Sequence, residues 1–261
     1  MLSRLVLTTA ATFALVLARL AGFVVSSPFP GAHVGRTQRA GLVGALAWVA
    51  TMFAPSASAP TELGYALIAA VVVEVACGLL IGIAFRLVFM AAEVTGQMLS
   101  QAVGLSTASI LNPTVEAQDV ILARVVTLLA MMLALSAGVH RVALGYLLGS
   151  FRVLPVGSAM SFAPTATVFV ALTIQSFTVG VQLAMPVIAV ALIVQLALAM
   201  IARAAPALQI FSVGFSVLLT TGFLVLIVSL RDISGGLLVH FGSLARWLDA
   251  ALAALVPEPL R

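Results

Sequence analysis

From Pro164 to Ala202 the chain carries no charged residue. A run of that length cannot lie on a wet surface, and it exceeds the roughly 20 apolar residues that one bilayer crossing needs. Composition extends the constraint to the whole chain. Of 261 residues, 63% are hydrophobic and 8% charged, and mean hydropathy is +1.25. Soluble domains carry about 25% charged residues. The pattern excludes a water-soluble globule, a disordered tail and a disulfide-stapled domain, and Cys77 is the one cysteine. An integral membrane protein follows. It is all-α, because a backbone facing lipid must satisfy its own hydrogen bonds.

Apolar runs and breakers predict about six long, partly kinked transmembrane helices and an amphipathic C-terminal helix. Leu5 to Val25 is the first span, with Arg19 near its end, and reads as a retained helix rather than a signal peptide. Ser26 to Arg39 is a loop rich in Pro and Gly. Ala40 to Phe53 is a shorter apolar segment, and Leu63 to Met90 is the third, continuing as a more polar helix towards Gln101. Gln118 to Gly138 forms the fourth. His140 to Phe151 keeps a helical rhythm until Pro155 and Gly157. Pro164 to Ala202 reads as one helix kinked at Pro186, with a hairpin near Gln175 to Gln182 as the alternative. Arg203 and Pro206 mark a turn, Leu208 to Leu230 is the last span, and Ile233 to Leu255 is amphipathic.

Charge narrows the function. All twelve basic residues are arginine, scattered singly through apolar sequence. Nucleic-acid binding needs basic residues clustered on one face, so no nucleic-acid partner is expected. His33, His140 and His240 stand far apart, and no HExxH, paired-cysteine or phosphate-loop pattern occurs. No enzyme activity, catalytic residue, cofactor or metal is therefore predicted.

Two features stand out. Glu74, Gly78, Gly82 and Arg86 recur every fourth residue and share one broad helix face, drifting about 40° per step. Gly78-Leu-Leu-Ile-Gly82 is a small-xxx-small motif that admits another helix backbone. Ionisable groups at membrane depth cost about 2.5 to 3.5 kcal/mol and turn towards protein or water. Packing against polar partners is the first reading of this face, a proton relay the second, and it is assigned to a subunit interface. The other feature is the loop Gly104-Leu105-Ser106-Thr107-Ala108-Ser109-Ile110-Leu111-Asn112-Pro113. It reads either as a solvated connector or, given its aliphatics beside small residues, as a segment packed into a constriction.

Three ordered blocks together resemble the FliR family of flagellar biosynthetic proteins, over roughly Leu17 to Leu230. The first is Leu17-Ala-Arg-Leu-Ala-Gly22 with Ser27-Pro-Phe and Arg39. The second runs from Glu74, Gly78 and Gly82 through Ala92, Gly96 and Gln101-Ala-Val-Gly104 to Asn112-Pro113, Gly138-Val-His140 and Ser150-Phe151-Arg-Val-Leu-Pro155. The third is Ala184-Met-Pro186, Arg203-Ala-Ala-Pro206 and Phe211. Asn112 stands where the family usually has Asp, and Ala207, Leu208 and Gln209 replace a common Gln-x-Asn.

The resemblance implies a non-catalytic export-gate subunit of the flagellar type III secretion apparatus. It would sit in the bacterial inner membrane, at the flagellar basal body. Its implied partners are the FliP and FliQ proteins, with FlhB and FlhA alongside, membrane lipid, and unfolded flagellar subunits as cargo. Within a single membrane domain it implies a FliP-like part over residues 1–163 and a FliQ-like hairpin over 164–230 turning at Arg203 and Pro206. An amphipathic tail over 231–261 follows. It also implies that Gly104 to Pro113 is the plug that closes the pore. A secondary transporter for a small solute is the competing reading, and would require repeat-related broken helices around a midplane site.

Overall fold

The computed structural model describes residues 2–29, 34–53, 65–104, 121–158, 160, 163–204 and 210–256. Among them stand eight helices and no strand: α1 (Leu2–Ser26), α2 (Arg36–Phe53), α3 (Tyr65–Ala102), α4 (Ile121–Ser136), α5 (Val139–Val153), α6 (Ala163–Ala204), α7 (Ile210–Gly242) and α8 (Leu244–Leu255). The protein is thus an all-α membrane protein. Four stretches are long and apolar enough to cross a bilayer: Thr8–Ser26, Tyr65–Ala102, Pro164–Ala204 and Ser216–Leu255. Leu122–Ser136 and Val139–Val153 qualify only together, as a broken span.

Among the described residues the candidate spans number four, or five with the broken pair, against about six predicted from the sequence. α2 accounts for one crossing and α4, which qualifies only together with α5, for the other; the last span keeps its place in the count but not its end. The short α2 has 18 residues and opens on Arg36 and Arg39, and it is not among the qualifying stretches. The last span does not stop at Leu230. α7 runs on through the exposed Arg231 and Asp232 to Gly242, because no breaker separates them from the apolar sequence beyond. The amphipathic C-terminal helix is therefore shorter than predicted, Leu244–Leu255, and buries Leu244, Leu248, Ala251, Leu252 and Leu255 on one face.

α6 is one helix of 42 residues that passes Pro186 without interruption, so no hairpin forms near Gln175 to Gln182. At 1.5 Å per residue it is about 63 Å long, twice the hydrocarbon thickness. Proline lacks the N–H that the Gln182 carbonyl would otherwise receive, a loss tolerated in apolar helices with neighbours. Gly138, at φ 72°, takes the left-handed conformation that a side chain resists and separates α4 from α5.

The chain divides into two compact units. The first comprises Met1–Val88, Gly138–Thr173 and Ser243–Arg261. In its core Phe85 stacks between Phe23 and Phe29, at centroid distances of 6.3 and 5.8 Å, beside buried Leu15, Leu20 and Ile81. Phe13 of α1 meets Trp48 of α2 edge-on at 6.4 Å.

The second unit comprises Phe89–Ala137 and Ile174–Gly242. Here α6 and α7 run antiparallel: Ser176 lies 3.3 Å from His240, and Leu183 lies against Gly236. Thr95 of α3 donates to the Gly180 carbonyl of α6 at 3.1 Å. That approach depends on Gly180, where a Cβ would stand 2.7 Å from the Ala91 carbonyl oxygen. Phe89 of α3 packs on Phe241 of α7 at 4.9 Å.

Candidate functional site

The site grows from the glycines of α3. A Cβ on Gly78 would overlap the Arg19 carbonyl oxygen and lie 2.9 Å from the Phe23 nitrogen. One on Gly82 would stand 2.7 Å from the Phe23 carbonyl oxygen, and one on Gly22 would stand 2.5 Å from that of Val75. Bare backbone on both helices thus lets α1 and α3 run parallel in direct contact. Ser26 strengthens the seam, its hydroxyl lying 3.1 Å from the Leu79 carbonyl oxygen. The small-xxx-small face admits a helix as its spacing predicts, but that helix is α1 of the same chain. This corrects the subunit-interface assignment of Glu74, Gly78 and Gly82, all three of which are buried inside the first unit. The physical reason is that α1 brings its own glycine and its own charge to the face.

That charge is Arg19. Its Nε donates to Glu74 Oε2 at 2.5 Å, and both side chains are 0% exposed. Nη1 donates to Ser150 Oγ at 3.0 Å and Nη2 to the Leu154 carbonyl at 3.0 Å. The guanidinium carbon lies 4.4 Å from the Phe151 ring centroid. The other carboxylate oxygen, Glu74 Oε1, accepts the Gly157 N–H at 2.9 Å. Ser150 Oγ in turn donates to the Leu147 carbonyl at 2.7 Å.

The local sequence explains why these groups meet. α5 ends where Pro155 cannot continue it, and Gly157 takes φ 81°. The turn aims the Leu154 carbonyl and the Gly157 N–H back at the ion pair. One pair therefore clasps α1, α3 and the end of α5, with every charged-group contact made to a named partner. A buried pair contributes little net stability but is severe to break, since a lone charge is left in an apolar interior. Chemically this is a pin. Of the Glu74 oxygens, Oε2 is held by a cation and Oε1 by a backbone amide, an arrangement suited to packing.

The remaining predicted residues fall in different places. Arg86 lies exposed on α3, apart from the clasp. Arg203 is exposed at the end of α6, and Pro206 lies outside the described residues. Gly104 is buried at φ 82°, its N–H donated to the Gln101 carbonyl at 3.1 Å. Just before it, Val103 is buried against Gly222 of α7. The rest of the plug loop, Leu105 to Pro113, lies outside the described residues. Among the described residues no group of His, Cys, Asp and Glu is arranged to hold a metal.

Sequence reasoning missed Arg19, Ser150, Phe151, Leu154 and Gly157 as parts of one site. A signal for Arg19 was present: an arginine inside an apolar span requires an anion, and Glu74 is the acid inside another apolar span. Nothing local marks Leu154 or Gly157, which act through backbone atoms.

The family described as bacterial export proteins, family 1, matches this chain over residues 10–243. A flagellar biosynthetic protein FliR of Caulobacter vibrioides is 33% identical over 175 residues, covering 67% of this chain and 69% of the relative. The FliR protein of Escherichia coli is 32% identical over 152 residues, 57% of each chain. That of Aquifex aeolicus is 29% identical over 224 residues, 85% of this chain and 86% of its own.

Proposed function

We infer function from family: this chain belongs to the bacterial export proteins of family 1, the family of the flagellar biosynthetic protein FliR, and is a membrane-embedded flagellar export protein. Within that role it acts as a non-catalytic subunit of the export gate in the bacterial inner membrane, at the flagellar basal body. It assembles with FliP and FliQ proteins, near FlhB and FlhA, into a pore for unfolded flagellar subunits. Gly104 to Pro113 closes that pore as a plug. Proton-motive force drives export through other components of the apparatus.

One observation supports the reading beyond family membership: the buried Arg19–Glu74 pair is satisfied within the chain while the long helices α6 and α7 stay apolar outside. The Arg19 clasp consumes the buried charges of the first unit. On α6 and α7, Ile193, Met200, Ile227 and Val228 are all at least 65% exposed. α6 is too long for its apolar surface to be covered by one bilayer thickness, so sister helices supply the remaining cover. A segment that leaves a buried, left-handed glycine beside a packed Val103 has a firm anchor at its root, as a plug requires.

The test is co-isolation. Membranes producing this chain with its FliP and FliQ counterparts should yield one complex containing all three, and deletion of the gene should stop secretion of flagellar subunits. Recovery of this chain alone, with secretion intact in the deletion strain, would overturn the reading. Ion-coupled uptake of a small solute by the isolated chain would favour the transporter instead.

A further inference from the structure

In the second unit, the C-terminal part of α3 carries Glu93, Gln97 and Gln101 at every fourth position, one broad helix face about 12 Å long. Gln97 and Gln101 are exposed and Glu93 is half-buried. Across a cleft of about 300 Å³, Gln101 faces α6, whose Gln195 shares the lining with Ile188 and Leu192. Gln195 is exposed as well.

These four side chains stand apart from the other polar groups of the same helices. Thr95 and Ser100 donate to the carbonyls of Ala91 and Gly96, both at 2.8 Å. Thr127, Thr178, Thr220 and Ser234 likewise donate to backbone carbonyls one helical turn back. Glu93, Gln97, Gln101 and Gln195 have no side-chain hydrogen bond or ion pair among the described residues. A hydroxyl can hide its polarity on its own helix, but a carboxamide this long cannot. An exposed row of such groups therefore cannot face acyl chains without cost.

Resting on the export reading above, we propose that the Glu93–Gln97–Gln101 row, with Gln195, lines the aqueous conduit and contacts the peptide backbone of the passing chain. Chemistry selects this occupant. A carboxamide both donates and accepts, so it matches the N–H and C=O of any extended polypeptide whatever its side chains. The lone charge of the row is a carboxylate, which disfavours an anionic lipid headgroup or a nucleic acid. Exposed apolar Ile193 and Val228, at 65% and 79%, mark the contrasting surface of the same unit.

The experiment places a photoreactive amino acid at position 97, 101, 193 or 228 of the full chain, in cells making the whole apparatus. An export substrate fused to a tightly folded protein is stalled in transit. Irradiation should yield cargo adducts from 97 and 101 at about ten times or more the yield from 193 and 228, as expected for a wet surface against an apolar one covered by sister helices or lipid. Adducts from 97 and 101 only with lipid or another membrane subunit, while export proceeds, would overturn the inference. If a photoreactive residue prevents assembly, Gln97→Cys and Gln101→Cys with a membrane-impermeant maleimide read the same contact. Labelling should occur and fall when cargo is stalled, whereas no labelling, or labelling that cargo leaves unchanged, overturns it. Failure of this inference alone leaves secretion dependent on the chain, while secretion that survives deletion of the gene sinks the export reading itself.

Discussion

Arg19 of α1 and Glu74 of α3 meet at 2.5 Å with neither side chain exposed, although 55 residues separate them in sequence. Around them, Ser150, Leu154 and Gly157 fill the remaining donors and acceptors. Removing one partner strands the other in an apolar interior. Arg19→Ala or Glu74→Ala should destabilise the chain by about 3–5 kcal/mol. The double change Arg19→Met with Glu74→Leu should cost less than the two single changes together, because no charge is left behind. Thermal unfolding in detergent measures both, and normal stability of Arg19→Ala would show that the clasp does not hold the fold.

Glycine substitutions separate internal packing from open surface. Gly78→Ala places a methyl into the Arg19 carbonyl, so it should push α1 from α3 and cost about 1–3 kcal/mol. Gly145→Ala on α5 meets nothing within 4 Å and should be neutral or stabilising, by up to about 1 kcal/mol. Equal melting temperatures for the two variants would contradict the close approach of the helices.

Arg86 is exposed within a helix long enough to span the bilayer. If it meets a partner subunit, Arg86→Leu should leave the isolated chain's melting temperature unchanged and lower the yield of the three-component complex several-fold. The reverse outcome, a destabilised chain with normal complex yield, would assign Arg86 to the fold.

Deleting Leu105 to Leu111 should leave the complex assembled and make the membrane leak small ions, since an apolar constriction excludes water. Single-channel or whole-cell conductance is the measurement. Conductance equal to that of the unaltered chain would remove the plug assignment.

The limits of legibility follow from particular residues. α3 reads from its apolar run almost to the residue, Leu63 to Gln101 against Tyr65–Ala102, because apolar length alone makes a membrane helix. α6 reads equally well, and its passage through Pro186 shows that one missing N–H does not end a helix packed among others. Arg231 and Asp232 bound an apolar run at Leu230 but give the backbone no reason to stop there, so the helix continues to Gly242. The glycine face was legible as a docking surface but not its occupant, since Gly78 and Gly82 specify close approach and say nothing of which backbone approaches.

Amino-acid order alone settled that this chain is an all-helical membrane protein with charges inside its apolar segments, Arg19 and Glu74 among them. Hydrophobicity and backbone hydrogen bonding are local in origin, so they can be read along the chain. Which helix fills the Gly78–Gly82 notch, and that Arg19 rather than Arg86 neutralises Glu74, depended on folding. Those outcomes turn on distances between segments far apart in sequence, and on backbone atoms of Leu154 and Gly157 whose directions exist only once α5 has ended against α1 and α3.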